Sequence, residues 1–262
     1  MSLSPSGPDW DPGSYASFRG LRLRPLLDLL AQVPEIPEGE VVDLGCGDGA
    51  GAGALRRRFP GHRLLGVDAS VAMLGQARGY DATQMADIAH WAPEGRPALI
   101  FSNAALQWLH DHQRLLPRLA GTLAPGGTLA VQVPRQFDAP SHRLIREIAG
   151  EMFPDRFAGE EAFVAPVAPP GAYHRLLAPL GGLAVWETEY LQPLAPVEEG
   201  HPVRAFTQGT ALRPFAARMG AGELGKFLEA YDEALAIAYP AEANGTVLFP
   251  FRRLFLVLTV AG

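Results

Sequence analysis

Cysteine is all but missing. Cys46 is the single one among 262 residues, which excludes an intrachain disulfide framework and a cysteine-rich zinc site and suits a reducing compartment. An excess of positive charge is missing too: 22 Lys and Arg stand against 28 Asp and Glu, for a formal charge of −6. Non-specific nucleic-acid affinity, which needs cations to neutralise phosphates, is therefore not expected. Long apolar runs are also absent. The stretch "LFLVLTVAG" falls far short of the roughly 18 residues that span a bilayer, and "MSLSPSGPDWDPGSY" has no basic start followed by an apolar run. No His, Asp or Glu grouping has metal-ligand spacing. The expectation is a cytoplasmic protein with a small-molecule partner and with no metal, nucleic acid or membrane.

What is present is alternation. Short, nearly continuous apolar runs, "EVVDLG", "HRLLGVD", "ALIFSN" and "GGTLAVQVP", with a shorter one near Gln84 to Ala86, alternate with the helical patterns of "AGALRRRFP", "SVAMLGQAR" and "QRLLPRLAGTLAP". That pattern predicts an α/β fold with a doubly wound parallel sheet covered on both faces. Ahead of it, Leu23, Leu26, Leu27 and Leu30 recur at helical spacing. After Pro134 the strand pattern pauses, and "GLAVWETEYLQPL" and "FRRLFLVLTV" resume it around a largely helical stretch at residues 198–240. The expected organisation is an arm and helix over residues 1–34, an α/β core over 35–136 and a connecting helical segment over 137–182. The last two strands follow over 183–262, with a helical cap inserted at about 195–248.

The stretch "VVDLGCGDGAGAG", residues 41–53, runs a strand into five glycines spaced two apart, and such loops hold nucleotides. A P-loop would end in Lys followed by Ser or Thr, and this one does not. Gly45, Gly47 and Ala50 do satisfy the dinucleotide pattern G-x-G-x-x-A, with Asp68 about 20 residues on, where a ribose ligand belongs. A nicotinamide oxidoreductase therefore stays open on spacing alone. Charge disfavours it, because Asp43 and Asp48 would face a pyrophosphate. Carboxylates there suit a phosphate-free, cationic ligand such as S-adenosylmethionine.

The motif acid-x-Gly-x-Gly-x-Gly at Asp43 to Gly49, Asp68 after the second strand, Asp87 in "MADIAHW" and the segment "LAPGGTLAVQVP" together resemble the class I S-adenosylmethionine-dependent methyltransferases. The resemblance implies a Rossmann-like, seven-stranded methyltransferase sheet. It further implies cofactor contacts at Asp43, Gly45, Gly47, Asp68, Ala69, Met73, Asp87, Ile88 and Asn103, with Asp68 on the ribose and Asp87 on the adenine amino group. Ala98 stands where that family usually opens its fourth strand with an acid. Cys46 reads as a small loop residue without a neighbouring base.

Methyl transfer from a sulfonium is a displacement, so the protein must align the reacting atoms and exclude water. A carboxylate acceptor is already ionised near neutrality and needs no general base, whereas a hydroxyl would need one. Arginines in apolar surroundings, "RLRP", "LRP" and "PFRRLF", match carboxylates through their planar forks. Arg22 and Arg253 are the first candidates to hold an acceptor's carboxylates, and Arg24, Arg213 and Arg252 are further ones. Tyr15, Trp108 and His112 are candidates to line or close the site. The segments "WDPGSYASF", "NAALQWLHDH", "GTALRP" and "LFPFRRLF" are similar to small-molecule carboxyl methyltransferases of the class I family, with Phe206 where Trp is usual. That likeness implies formation of the monomethyl ester of trans-aconitate or a similar small polycarboxylate, with release of S-adenosylhomocysteine. Methylation of another small carboxylate or a hydroxyl, and a non-catalytic donor-binding module, remain open alternatives.

Overall fold

A computed structural model describes residues 19–157 and 165–262, with side chains from residue 23 onwards. The strand β1 (Val41–Leu44) is buried at every position, because β2 (Leu64–Asp68) and β4 (Leu99–Asn103) flank it in parallel. That enclosure is why its sequence is a continuous apolar run rather than an alternating one. β2 pairs in parallel with β3 (Ala82–Met85), and β4 with β5 (Thr128–Pro134). β6 (Gly181–Leu194) and β7 (Val247–Val260) complete a seven-stranded sheet of order β3-β2-β1-β4-β5-β7-β6. β7 runs antiparallel to β5: Val260 N–H donates to the Gly127 carbonyl, and Arg135 N–H to the Arg252 carbonyl, each at 3.0 Å. The sheet is mixed, and the strand order reverses between β1 and β4, the place where open α/β sheets bind ligands at their carboxyl ends.

The described chain divides into two compact units, one of residues 19–133, 168–187 and 254–262 and another of 134–157, 165–167 and 188–253. The first carries α1 (Arg19–Ala31), α2 (Ala52–Arg58), α3 (Val71–Gln76), α4 (His112–Thr122) and α7 (Pro170–Leu177). The second holds α5 (Pro140–Met152), α6 (Pro154–Phe157), α8 (Pro202–Gln208), α9 (Arg213–Ala216) and α10 (Ala221–Ala238). Its centre is a tyrosine clamp on the first turn of α5. Tyr231 donates to the Ser141 carbonyl at 2.6 Å, and Ser141 N–H, one of the donors a helix start leaves over, gives its proton to the Tyr239 hydroxyl at 3.1 Å.

Three elements differ from the sequence reading. β3 begins two residues before the expected Gln84, since an edge strand with three exposed residues out of four carries little apolar signal. β7 starts at Val247 rather than Phe251, because Pro250 sits inside the strand. A 3-10 turn over Leu106–Trp108 follows β4 unforeseen. No helix among the described residues is long and apolar enough to cross a membrane.

Candidate active site

The glycine loop leaves β1 with Gly45 at φ +84°, and a Cβ there would lie 2.1 Å from the Ala105 Cβ. Only glycine permits both the left-handed backbone and that approach. Two residues on, Gly47 N–H donates to Asp68 Oδ2 at 2.8 Å, while Ser70 N–H donates to Asp68 Oδ1 at 2.9 Å. The Ser70 hydroxyl in turn accepts from Met73 N–H and caps α3. Asp68 is thus held at the carboxyl end of β2 with one backbone donor on each oxygen. Each oxygen keeps a second lone pair, the arrangement that vicinal hydroxyls require. Ala69 is exposed beside it, and Met73 is buried.

Asp43 is 4% exposed, and its Oδ2 accepts from the Tyr80 hydroxyl at 2.7 Å. Burial raises its pKa from 3.8 to about 7; Tyr80's hydrogen bond opposes that rise, and the negative charge of Asp68 adds to it. The same burial and the two aspartates push the Cys46 thiol up, which keeps it protonated and inert. Tyr80 was not singled out by the sequence reading, for it lies 37 positions from its partner.

Asp87 is exposed after β3, and its oxygens accept from Ala89 N–H at 2.9 Å and engage His90 Nδ1 at 3.0 Å. The Ala89 N–H, ahead of His90, holds its carboxyl below the usual range. Ile88 is buried, and its Cδ1 would lie 3.4 Å from a Cβ at Gly45, so this turn reaches the glycine loop.

The turn after β4 approaches that loop as well, through Ala105. Ala104 takes φ +56°, and its N–H donates to the Gln132 carbonyl at 2.8 Å. Gln107 Nε2 donates to the Ala104 carbonyl at 2.7 Å. Asn103 Oδ1 and Gln107 Oε1 are buried and have no hydrogen-bond donor among the described residues. Two orphaned carbonyl oxygens and a backbone-held carboxylate fit a ligand that brings N–H and O–H donors. S-adenosylmethionine, with its ammonium and ribose, is such a ligand; a pyrophosphate brings only acceptors.

The acceptor candidates are less united. Tyr15 lies outside the described residues, as does the side chain of Arg22. Arg24 is exposed on α1 and 3.9 Å from Asp28. Trp108 is half exposed on the turn after β4. His112 is buried with both ring nitrogens engaged: Nε2 donates to the Leu106 carbonyl at 2.8 Å, and Nδ1 accepts from the Tyr173 hydroxyl at 2.6 Å. Tyr173 is the donor because the neutral ring's one N–H, on Nε2, faces the Leu106 carbonyl; the Tyr173 oxygen also accepts from Ala168 N–H. Burial lowers the His112 pKa, so the neutral ring braces the 3-10 turn and has no nitrogen left to line a site. In the second unit, Arg213 is half-buried at the start of α9. Arg253 is 4% exposed, with its guanidinium 4.7 Å from the Phe251 ring centre. Phe251 packs on Phe206 at 5.4 Å and Phe249 at 5.6 Å, which places Phe206 in the aromatic cluster beside that cation. Arg252 points to the other face of β7, where it is exposed and 3.5 Å from Glu189. The two neighbouring arginines therefore cannot grip one ligand together.

Two further histidines, His142 and His201, belong to the second unit. Burial, with Arg146 adding, pushes His142 down to about 4. His201 caps α8 by accepting from Val203 N–H and donates from Nε2 to the Tyr239 carbonyl at 3.0 Å.

A methyltransferase-domain family model matches residues 15–160. Over 95% of this chain and 97% of its own length, the trans-aconitate 2-methyltransferase of Methylobacterium nodulans is 46% identical; that of Azoarcus sp. is 42% identical over 95% of this chain and 98% of its length. The chain belongs to the trans-aconitate 2-methyltransferase family. Among solved structures, the YcgJ protein of Bacillus subtilis superposes with a TM-score of 0.55 at 14% identity, over 92% of this chain and 99% of that one. The phosphoethanolamine N-methyltransferase 2 of Haemonchus contortus, solved with S-adenosyl-L-methionine, gives a TM-score of 0.51 at 15% identity over 90% of this chain and 52% of that one. Those two likenesses establish the fold of this family member as that of class I methyltransferases.

Proposed function

We propose that this chain transfers a methyl group from S-adenosylmethionine to a carboxylate of trans-aconitate, giving the monomethyl ester and S-adenosylhomocysteine. The observation that carries this reading is the likeness, along nearly the whole chain, to relatives bearing that name. When bound, the donor would supply an electrophilic methyl carbon, to which a carboxylate oxygen would bond as the carbon–sulfur bond breaks and the thioether of S-adenosylhomocysteine leaves.

The chain's own residues supply position. Asp68 would accept from the ribose hydroxyls, Asp87 from the adenine amino group, and Asn103 from the ammonium, while Gly45 and Gly47 shape the loop; Ala69, Met73 and Ile88 would pack around the nucleoside. Asp43, with its Oδ2 taken by Tyr80, supports the loop from beneath. Arg253 is the foremost cation for the acceptor, with Arg22 and Arg213 as further ones and Trp108 and Tyr15 as flanking aromatics. No protein base is required. The histidines that sit inside the fold, His112, His142 and His201, all have pKa values lowered by burial; their ring bonds hold backbone and neighbouring side chains.

The test incubates the purified chain with methyl-labelled donor and trans-aconitate and identifies the product by mass spectrometry. A monomethyl ester formed in proportion to enzyme is the expected result. Absence of ester at saturating trans-aconitate, with a different di- or tricarboxylate methylated in parallel, would replace the acceptor. Absence of any methylated acid would overturn the reading.

A further inference from the structure

Gln107 is not among the residues that motif matching assigns to the donor, yet its placement singles it out. It sits on the 3-10 turn after β4, and this turn is anchored at three points. Ala104 N–H is held by the Gln132 carbonyl, the Leu106 carbonyl by His112 Nε2, and Ala105 abuts Gly45 of the donor loop, where no Cβ fits. The Gln107 amide cannot be flipped without penalty, because Nε2 donates to the Ala104 carbonyl at 2.7 Å. That bond leaves Oε1 as the free end, buried and without a donor among the described residues, as Asn103 Oδ1 is four positions earlier. A buried acceptor left without a donor costs roughly 1–3 kcal/mol, and two of them, one at the end of β4 and one on the turn that follows it, call for a ligand that carries several N–H groups. A carboxylate acceptor brings none. A primary ammonium brings three.

We infer that Gln107 Oε1 is a binding contact for the α-ammonium group of the methyl donor, acting beside Asn103. This rests on the donor-binding reading above and adds to it a second acceptor for the ammonium, on a residue that reading does not use. The contact fixes the amino-acid end of the donor and so the direction in which its methyl points.

Calorimetric titration with S-adenosylhomocysteine and with its desamino analogue, in which hydrogen replaces the α-amino group, tests it on the wild-type chain, Gln107→Leu and Gln107→Glu. Gln107→Leu should bind S-adenosylhomocysteine about ten-fold or more weakly and the desamino analogue as the wild type does. Gln107→Glu, which keeps an acceptor but loses the Nε2 donor to Ala104, should retain the preference for the amino ligand. Equal losses on both ligands, or loss of the preference in Gln107→Glu as well, would mean that Gln107 only locks the turn, and would overturn the inference. Unchanged binding by Gln107→Leu would overturn it too. Failure of the wild-type chain to bind S-adenosylhomocysteine would instead remove the donor site itself, a result distinct from the others.

Discussion

Replacing Asp43 by asparagine gives a stability change whose pH dependence follows from the structure. In the folded chain the carboxyl titrates at about 7 against a reference of 3.8. Between those values the native state holds a proton that the unfolded chain has released, so wild-type stability falls as pH rises through that window. Asp43's contribution is most favourable below about pH 4 and is lost by about pH 7; the difference is of order 4 kcal/mol at about 1.4 kcal/mol per pKa unit. The Asp43→Asn side chain cannot ionise but still offers Tyr80 an acceptor. Urea unfolding followed by far-UV circular dichroism, without ligand, at about pH 4.5 and about pH 8 compares the two chains; groups common to both cancel in the difference. The variant should gain on the wild type by about 3–4 kcal/mol between the two pH values. Tyr80→Phe, which removes the hydrogen bond that opposes the rise, should move the wild-type fall to higher pH. A stability difference between Asp43→Asn and wild type that does not change with pH would refute the argument, for it would mean that the carboxylate is solvated or paired in the folded state.

Two further substitutions probe the loop and the acceptor side. Gly45→Ala places a Cβ against Ala105 at a left-handed backbone position and should cost about 1–2 kcal/mol of strain plus about 1–3 kcal/mol of overpacking. Gly47→Ala, whose Cβ would meet nothing within 4 Å, should cost the strain alone; equal losses in thermal unfolding would count against the Ala105 contact. Arg253→Met should raise the KM for the acceptor by about ten-fold or more, the value of a hydrogen bond to a charged group, and leave the Kd for S-adenosylhomocysteine unchanged. Arg252→Met, on the opposite face, should alter neither, and an unaltered KM in Arg253→Met would remove that arginine from the site.

The strands of the parallel sheet were legible because each central strand is buried on both faces and so spells itself as a short apolar run, as "VVDL" and "LIFS" do. β3 was legible only roughly, since an edge strand exposes most of its side chains. The glycine loop and Asp68 could be read as partners because their roles depend on positions within one strand-loop-helix-strand unit. The separation of Arg252 from Arg253 was also there to be read: Phe249, Phe251, Arg253 and Phe255 alternate along one face of β7, a period of two that the cluster "PFRRLF" obscures. Tyr80 and Gln107 carried no such signal, for a tyrosine on a loop and a glutamine in a short turn look ordinary until their neighbours are known.

Backbone chemistry and periodicity act over a few residues, and so the order of strands and helices, the left-handed glycines of the donor loop and the acids at the strand ends are properties of the chain alone. Which groups face one another is a property of the folded molecule. Tyr80 reaches Asp43 from 37 residues away, and Tyr173 reaches His112 from 61. The first contact gives a carboxyl that burial drives to titrate near neutrality its one side-chain donor, which restrains the rise, and the second turns a candidate site histidine into a brace. Both outcomes depend on burial and on who donates to whom, which are set when distant segments pack and water leaves, and no local pattern encodes them.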